Sequence, residues 1–476
     1  MPLGSFAATK KKSKAKKAAA PVVSTTLPVT SKSVPAKKAF EQGVLDYENL
    51  KVSEALEQWR RATKLDPEFA LAYAFISRVS SDPVETDGAT ARAKALADKV
   101  TPAEQLLIRW YAATRENDYI AAISAMNDVL GQFPRDKRLH EYASTWFLGH
   151  GAYERALDLS EQALAIDPNY PAALNEAGYA CAYLGQMDKA FAMMEKYISL
   201  LPNEANPQDS FAEFLRMDGK FPQALDHYRA ALRIDPKFES SQLGIADTLT
   251  LMGEFDKARE EYAKAADMAP DEPTRLLYLS HVPLTYVREG KYAEANAAFE
   301  EVIGKVHAAG LGALESAVLR DSALYQKDDA KASELLDRAE KALNEHQVSA
   351  ADREGEMAYI LRERVIRAAA SRNKEAKTAA LDRLKLMADN SRREDIQQAF
   401  HLAMGASLIA EKKNGEAVEH LYETASNPRA LQMLATAFQN MKALSEAASV
   451  RQKLARLHEP TMENAVANAA LSGKEK

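Results

Sequence analysis

Residues 151–185, GAYERALDLSEQALAIDPNYPAALNEAGYACAYLG, contain one full period of a pattern that recurs along the middle of the chain. Gly151 opens the segment, Gly185 closes it one period later, and Pro168 separates two amphipathic stretches. Apolar residues three and four positions apart in each stretch predict two helices joined by a turn. The segment therefore predicts a helical hairpin.

Three residue types repeat with a common period of about 34 residues. Proline ends the second helix because it disfavours helical backbone at its predecessor, and glycine takes the left-handed conformation that ends the first helix. A small alanine lets two helices approach closely, and a residue four positions later, larger in most units, lies on the same face. The residues are Pro134, Pro168, Pro202, Pro236 and Pro270; Gly151, Gly185, Gly219 and Gly253; and Ala122, Ala156, Ala190, Ala224 and Ala258.

These residues resemble the tetratricopeptide repeat family, whose pattern runs W-x2-L-G-x2-Y, then A-x3-F, then P. Ala55-x3-Trp59 and Ala295-x3-Phe299 match its second half, whereas Cys181 stands where one unit would have the tyrosine. The resemblance implies an all-α superhelical solenoid of about twelve antiparallel helix hairpins. In such an array each hairpin packs only on its neighbours.

The pattern divides the chain into four segments. Residues 1–38 mix Lys, Ala, Pro, Ser and Thr without hydrophobic periodicity and are predicted to form a disordered basic tail. Residues 39–275 form a regular N-terminal array, and residues 276–460 form a degenerate array with looser spacing. Residues 461–476 are predicted to be a capping helix and tail. Pro283 falls inside a first helix, which it is expected to kink or shorten.

Charge is distributed unevenly along the 476 residues. The chain has 62 Lys and Arg against 68 Asp and Glu, but nine Lys and no acid fall in residues 1–38. The remaining body has a net charge of −15, so it is not expected to bind nucleic acid. The sequence has no apolar run long enough to cross a bilayer and predicts no transmembrane segment.

As written, the sequence predicts a cytoplasmic protein. Ser5, Phe6 and Ala7 include the small residues that a signal peptidase accepts, but no apolar region precedes them. The alternative is an exported, periplasmic protein whose N-terminus is a truncated or removed signal peptide.

No catalytic constellation is found in the sequence. Phosphate-binding glycine loops, a nucleophile elbow and a calcium loop are absent. His140 and Glu141 begin an H-E-x-x-H zinc motif, but Ser144 stands in place of the second histidine, and no two histidines are three or four positions apart. We therefore predict that the chain is not an enzyme and has no cofactor and no metal site.

The resemblance implies that the first helices of the hairpins line a concave groove, which in this family usually binds an extended peptide or a partner's helix. Carboxylates dominate the residues so assigned, which favours a protein or peptide with a basic segment over one that presents its own carboxylate. The tyrosines among them are equally consistent with packing between repeats. The groove residues are Glu141, Asn175, Tyr179, Tyr183, Asp209, Glu213, Arg216 and Asp247.

The sequence thus predicts a non-catalytic interaction scaffold or adaptor that binds a peptide segment of a partner in the concave groove. One alternative is a sensory or regulatory solenoid that binds a small molecule or glycan. Another is association with the cell envelope or with nucleic acid through the basic tail. A further hypothesis is that the tail folds into the acidic groove and blocks it.

Overall fold

The structure is a computed structural model that describes residues 26–49, 51–80, 82–116 and 118–472. Within these ranges every regular element is helical, with 26 α-helices and one short 3-10 helix, Ala97–Lys99. The first 25 α-helices form twelve antiparallel hairpins, and each hairpin packs on the next. The predicted all-α solenoid is therefore confirmed.

Successive first helices contact one another far more than successive second helices do, so the array curves with its first helices on the concave side. The first helices are α1 (Val34–Glu48), α3 (Ala70–Val79), α5 (Pro102–Arg115), α7 (Lys137–Gly149), α9 (Pro171–Tyr183), α11 (Ala205–Met217), α13 (Glu239–Met252), α15 (Glu272–Leu279) continued by α16 (Val282–Glu289), α18 (Gly312–Leu324), α20 (Ala350–Ala370), α22 (Glu394–Ala410) and α24 (Pro428–Asn440).

The second helices lie on the convex side. They are α2 (Val52–Leu65), α4 (Pro83–Leu96), α6 (Tyr119–Gln132), α8 (Tyr153–Ile166), α10 (Met187–Leu200), α12 (Phe221–Ile234), α14 (Phe255–Met268), α17 (Tyr292–Ala308), α19 (Asp329–Glu345), α21 (Lys374–Asn390), α23 (Asn414–Tyr422) and α25 (Leu444–Ala455). The last helix, α26 (Met462–Ser472), belongs to no hairpin. None of the helices in the described ranges combines the length and the apolar character needed to cross a membrane.

The periodic features have the structural roles that the pattern predicted. Gly151, Gly185, Gly219 and Gly253 adopt φ between +73° and +81° at the turn inside each hairpin, a left-handed conformation that glycine takes without strain. Pro283 lies in the first turn of α16, and the first helix of its hairpin is divided into α15 and α16 around Ser280 and His281. The predicted interruption of that helix is therefore confirmed.

The structure describes residues 26–38, the last part of the predicted tail. Helix α1 begins at Val34, and the extended residues before it pack on the array, where the Leu27 N–H donates to Asp136 Oδ2 at 2.7 Å. Residues 26–38 therefore belong to the body, because their backbone groups find partners on the ends of later helices. The rest of the tail, residues 1–25, lies outside the described residues.

The predicted C-terminal helix is present as α26, but its position differs from a simple cap. It packs on α24 and α25 of the last hairpin and also reaches α16 and α18, so it lies on the concave side. Met462, Asn464 and Ala467 are buried by these contacts. Met462 and Ala467 are removed from water by helices from both ends of the C-terminal half, and this burial favours the inward position of α26.

Candidate functional site

The concave face of the C-terminal hairpins is occupied by α26. Glu463, in its first turn, accepts hydrogen bonds from the Arg362 guanidinium and from the Asn427 amide. Burial opposes ionisation of this carboxyl, but Arg362 and Arg429 outweigh burial and lower the pKa of Glu463 to about 2. The Glu463 carboxylate is therefore already paired within the chain.

The segment that leads into α26 crosses to the middle hairpins. His458 Nδ1 lies 3.1 Å from the carbonyl oxygen of Met217, and its ring packs edge-on against Phe221. Arg288 donates to the carbonyl oxygen of Glu459 at 2.9 Å. We call residues 457–472 the C-terminal segment. It covers the concave side from the middle of the array to the last hairpin.

The concave face of the N-terminal hairpins carries a different arrangement, which we call the inner polar cluster: Arg78, Tyr111, Glu141, Asn175 and Glu176. Its members lie on α3, α5, α7 and α9. Each has a buried polar atom without a hydrogen-bond partner among the described residues, namely Arg78 Nη1, Tyr111 OH, Glu141 Oε2, Asn175 Oδ1 and Glu176 Oε2. Buried polar atoms are normally paired, so five unpaired atoms on adjacent helices mark a place for a ligand or ordered water.

Aromatic rings surround the cationic member of the cluster. The Arg78 Cζ atom lies 4.9 Å from the ring centroid of Tyr47, 5.1 Å from that of Tyr142 and 5.5 Å from that of Tyr111. Cation–π attraction of this kind is worth about 0.5–2 kcal/mol for each favourable contact, depending on solvent exclusion. The three rings therefore hold the guanidinium in place and leave its Nη1 atom unpaired.

Burial makes the two carboxyl groups of the cluster hard to ionise. It raises the pKa of Glu141 to about 7, although Arg78 and a hydrogen bond from Thr145 act in the opposite direction. Burial, followed by the neighbouring Glu141 carboxylate, raises the pKa of Glu176 to about 8. Near neutral pH the pair therefore retains protons that a cation placed beside it would displace.

The structure separates the eight predicted groove residues into two groups. Glu141 and Asn175 belong to the inner polar cluster and have unpaired atoms. The tyrosines have partners within the chain, because the Tyr179 hydroxyl donates to Glu213 Oε2 at 2.7 Å and Tyr183 stacks on Tyr153 with ring centroids 4.6 Å apart.

The remaining groove residues also have intramolecular partners. Asp209 accepts a hydrogen bond from Ser241 at 2.6 Å, and Asp247 accepts one from the Tyr262 hydroxyl at 2.7 Å. The buried guanidinium of Arg216 donates to Glu213 at 3.2 Å. Asp209 and Asp247 are therefore hydrogen-bonded within the chain, although burial raises the pKa of Asp209 to about 7, as it does that of Glu141. The Nε atom of Arg216 is also buried and unpaired among the described residues.

Sequence reasoning missed Tyr47, Arg78, Tyr111 and Glu176. Tyr111 lies two repeat periods before the predicted groove residue Tyr179, so extending the repeat frame toward the N-terminus would have identified it. One further period before Tyr111 is position 77, and Arg78 lies one residue after it because the spacing is irregular in that unit. Glu176 lies beside the predicted Asn175, and only its burial distinguishes it from an ordinary surface acid.

Family models of the tetratricopeptide repeat match residues 111–171, 171–204 and 215–279. These residues, which lie between α5 and α15, therefore contain tetratricopeptide repeats. The first two matches include three of the four helices that contribute the inner polar cluster. The predicted family is confirmed.

Individual proteins are similar over part of the chain. The TPR repeat-containing protein YpiA of Bacillus subtilis (strain 168) is 27% identical over 183 residues, 36% of this chain and 40% of that protein. Anaphase-promoting complex subunit 6 of Arabidopsis thaliana is 27% identical over 167 residues, 34% of this chain and 30% of that protein. The chain thus spans less than half of either relative. A crystal structure of MamA protein matches with 20% identity and a TM-score of 0.29, covering 36% of this chain and 92% of that one.

Proposed function

We propose that this protein is a non-catalytic scaffold that binds a segment of a partner protein on the concave side of α3, α5, α7 and α9. The observation that carries the proposal is the inner polar cluster, whose unpaired donors and acceptors lie side by side. A polypeptide presents both N–H and C=O groups along its length, so it matches a surface of mixed donors and acceptors.

A basic residue in the partner segment fits the two acids of the cluster. Burial raises the pKa values of Glu141 and Glu176, and the positive charge of Arg78 does not offset it. A lysine or arginine side chain from the partner supplies additional positive charge, and the displaced protons leave to solvent. Binding of a basic segment is therefore expected to strengthen as the pH rises through about 7 and about 8, the pKa values of these two groups.

The comparisons support a scaffold role in general terms. Tetratricopeptide repeats cover the helices that contribute most of the cluster, and one similar protein is a subunit of the anaphase-promoting complex. In the C-terminal half, α26 occupies part of the concave surface through its contacts with α16, α18 and α24.

The proposal is tested by selecting short random peptides displayed on phage against the full chain and measuring their affinity by calorimetry. Selected peptides are expected to be enriched in Lys and Arg. The double substitution Glu141→Gln/Glu176→Gln is expected to weaken binding at least tenfold, because it removes both acceptor charges. The matched control is Glu154→Gln/Glu161→Gln, an equal change of charge on the exposed face of α8. Equal affinity of the groove variant and wild type contradicts the proposal.

A deletion of residues 1–25 distinguishes the groove from the basic tail. This deletion leaves every described residue in place. Unchanged peptide affinity supports binding in the groove. Loss of binding only in the deletion variant, together with a steep salt dependence, assigns the interaction to the tail instead.

A further inference from the structure

Two histidines and one glutamate meet at the junction of α17, α18 and α19, far along the chain from the inner polar cluster. His307 is in the last turn of α17, Glu315 is in the first turn of α18, and His346 follows the end of α19. His307 Nδ1 lies 3.0 Å from Glu315 Oε2, His346 Nε2 lies 3.2 Å from the same oxygen, and the two ring nitrogens are 3.3 Å apart.

Two arrangements fit this triangle. In one, each ring nitrogen carries a hydrogen and donates it to the Glu315 carboxylate, and the two ring nitrogens then face each other at 3.3 Å without a hydrogen between them. In the other, a cation lies at the centre of the triangle and all three atoms direct lone pairs at it.

Within the part of the chain that the structure describes, Glu315 forms its ion pairs with the two histidines and not with the neighbouring basic side chains. Its side chain is only 10% exposed, and its ion-pair partners among the described residues are His307 and His346. The nearest basic side chains have other partners, since Arg338 pairs with Glu300 and Lys341 pairs with Glu345. Arg338 lies close enough to interact electrostatically with Glu315, but the carboxylate forms no direct ion pair with Lys or Arg among the described residues, which leaves room for another positive charge beside it.

We propose that His307 Nδ1, His346 Nε2 and a Glu315 carboxylate oxygen bind a divalent transition-metal ion, with Zn²⁺ as the best match. Zinc binds imidazole nitrogen and carboxylate oxygen at about 2.0–2.2 Å in tetrahedral geometry, which places neighbouring ligand atoms about 3.3–3.6 Å apart. The observed separations of 3.0–3.3 Å are close to these edges. The fourth position falls to a water molecule on the side of the half-exposed His307.

The ligands come from two successive hairpins, so the ion joins them. His307 ends the hairpin of α15, α16 and α17, whereas Glu315 and His346 belong to the hairpin of α18 and α19. A groove of about 310 Å³ beside His307 and Glu315 gives an ion access from solvent. Because the ion binds only when the three elements are docked, it stabilises the folded array.

The test uses the full chain after removal of metals with EDTA and dialysis. ZnCl₂ is titrated by calorimetry, and CoCl₂ is added separately to look for the intense visible absorption of tetrahedral Co²⁺. We expect one Zn²⁺ per chain and a rise in the thermal unfolding midpoint. We expect His307→Ala and Glu315→Gln each to reduce the affinity at least tenfold. The matched control is His401→Ala, which alters the other close histidine pair, His401 and His420.

The exposed position of His307 keeps the test independent of folding, since its replacement removes no core contact. Failure of the wild-type chain to bind Zn²⁺ overturns the proposal. Equal binding by wild type and the His307→Ala/His346→Ala variant also overturns it, because the ion then lies elsewhere. Loss of binding in His401→Ala alone would assign the ion to the other pair of histidines.

Discussion

Glu176 shows how one buried carboxyl group links stability to the proposed function. Its side chain lies on the inner face of α9 with Oε2 unpaired, beside Glu141 and within the field of Arg78. Such a group weakens the folded state whenever it must ionise without a partner. A positively charged side chain of a bound partner would pair with the Glu176 carboxylate and remove this cost, which explains a buried acid at this position.

The substitution Glu176→Gln should raise the free energy of unfolding at high pH and change it little at low pH. The pKa is about 4.5 in the unfolded chain and about 8 in the folded one, so the folded state keeps the proton longer. Stability from this group is fully present below about pH 4.5 and is lost as the pH rises to about 8. We expect a gain of about 2–4 kcal/mol near pH 8.

Urea unfolding at the two pH values measures this difference. Glu161→Gln, an exposed substitution on α8, is the control and should show no pH-dependent gain. An equal effect of Glu176→Gln at both pH values would show that the carboxyl group ionises normally in the folded chain.

Two helical glycines of opposite environment test the packing between paired helices. A Cβ atom added at Gly43 would lie 2.6 Å from Trp59 Nε1, whereas one added at Gly88 meets open space. Trp59 is fully buried and its indole N–H donates to the Phe40 carbonyl, so it cannot move aside freely. Gly43→Ala should therefore destabilise the chain by about 1–3 kcal/mol. Gly88→Ala should stabilise it by about 0.5–1 kcal/mol.

Circular dichroism during urea unfolding distinguishes the two glycine variants. A stabilising Gly43→Ala would mean that the first hairpin is packed more loosely than the structure indicates.

At the scale of elements, the regular hairpins could be predicted because each local signal has a direct physical role. Periodic glycines end first helices, and periodic alanines let helices approach. The C-terminal hairpins lack this signal, since Arg372, Lys412 and Lys442 adopt φ between +60° and +64° at the corresponding turns. Residues other than glycine reach this conformation only when the surrounding structure imposes it, so the sequence shows no sign of it.

The docking of α26 depends on one ionised side chain. Glu463 is surrounded by Arg320, Arg362 and Arg429, which lower its pKa from about 4.5 to about 2. The stability contributed by ionised Glu463 is present above about pH 4.5 and is lost as the pH falls through about 2. Glu463→Gln should therefore destabilise the chain by about 3 kcal/mol near pH 6, and the difference should disappear near pH 2.

Urea midpoints of wild type and Glu463→Gln across this pH range provide the measurement. Glu419→Gln, a change of an exposed acid on α23, serves as the control with no expected loss. A difference between wild type and Glu463→Gln that persists unchanged at the lowest pH would rule out the arginine cluster as its cause.

At the scale of the whole molecule, contacts between distant residues determine which part of the concave face is free. The His458 ring meets the Met217 carbonyl across 241 positions of sequence. The repeat period specifies contacts between neighbouring hairpins only, so it predicts the array but not the path of the C-terminal segment. The predicted groove therefore included Arg216 and Asp247, where the structure shows intramolecular pairing.

The repeat period likewise predicts only some members of the inner polar cluster. Glu141 and Asn175 could be predicted because they lie in well-phased repeats. Arg78 could not, because its unit departs from the period and only the curvature of the array brings it beside Tyr47 and Tyr142. Two of the five cluster residues were thus predicted from sequence, and Arg78, Tyr111 and Glu176 were identified only in the three-dimensional arrangement.

Hydrogen–deuterium exchange of the full chain, with and without a selected basic peptide, tests the central claim most directly. With the peptide bound, we expect slower exchange of the amides in α3, α5, α7 and α9, the helices of the inner polar cluster. Glu141→Gln/Glu176→Gln should abolish this protection. Protection confined to the convex second helices, or to the C-terminal hairpins around α26, would contradict the account.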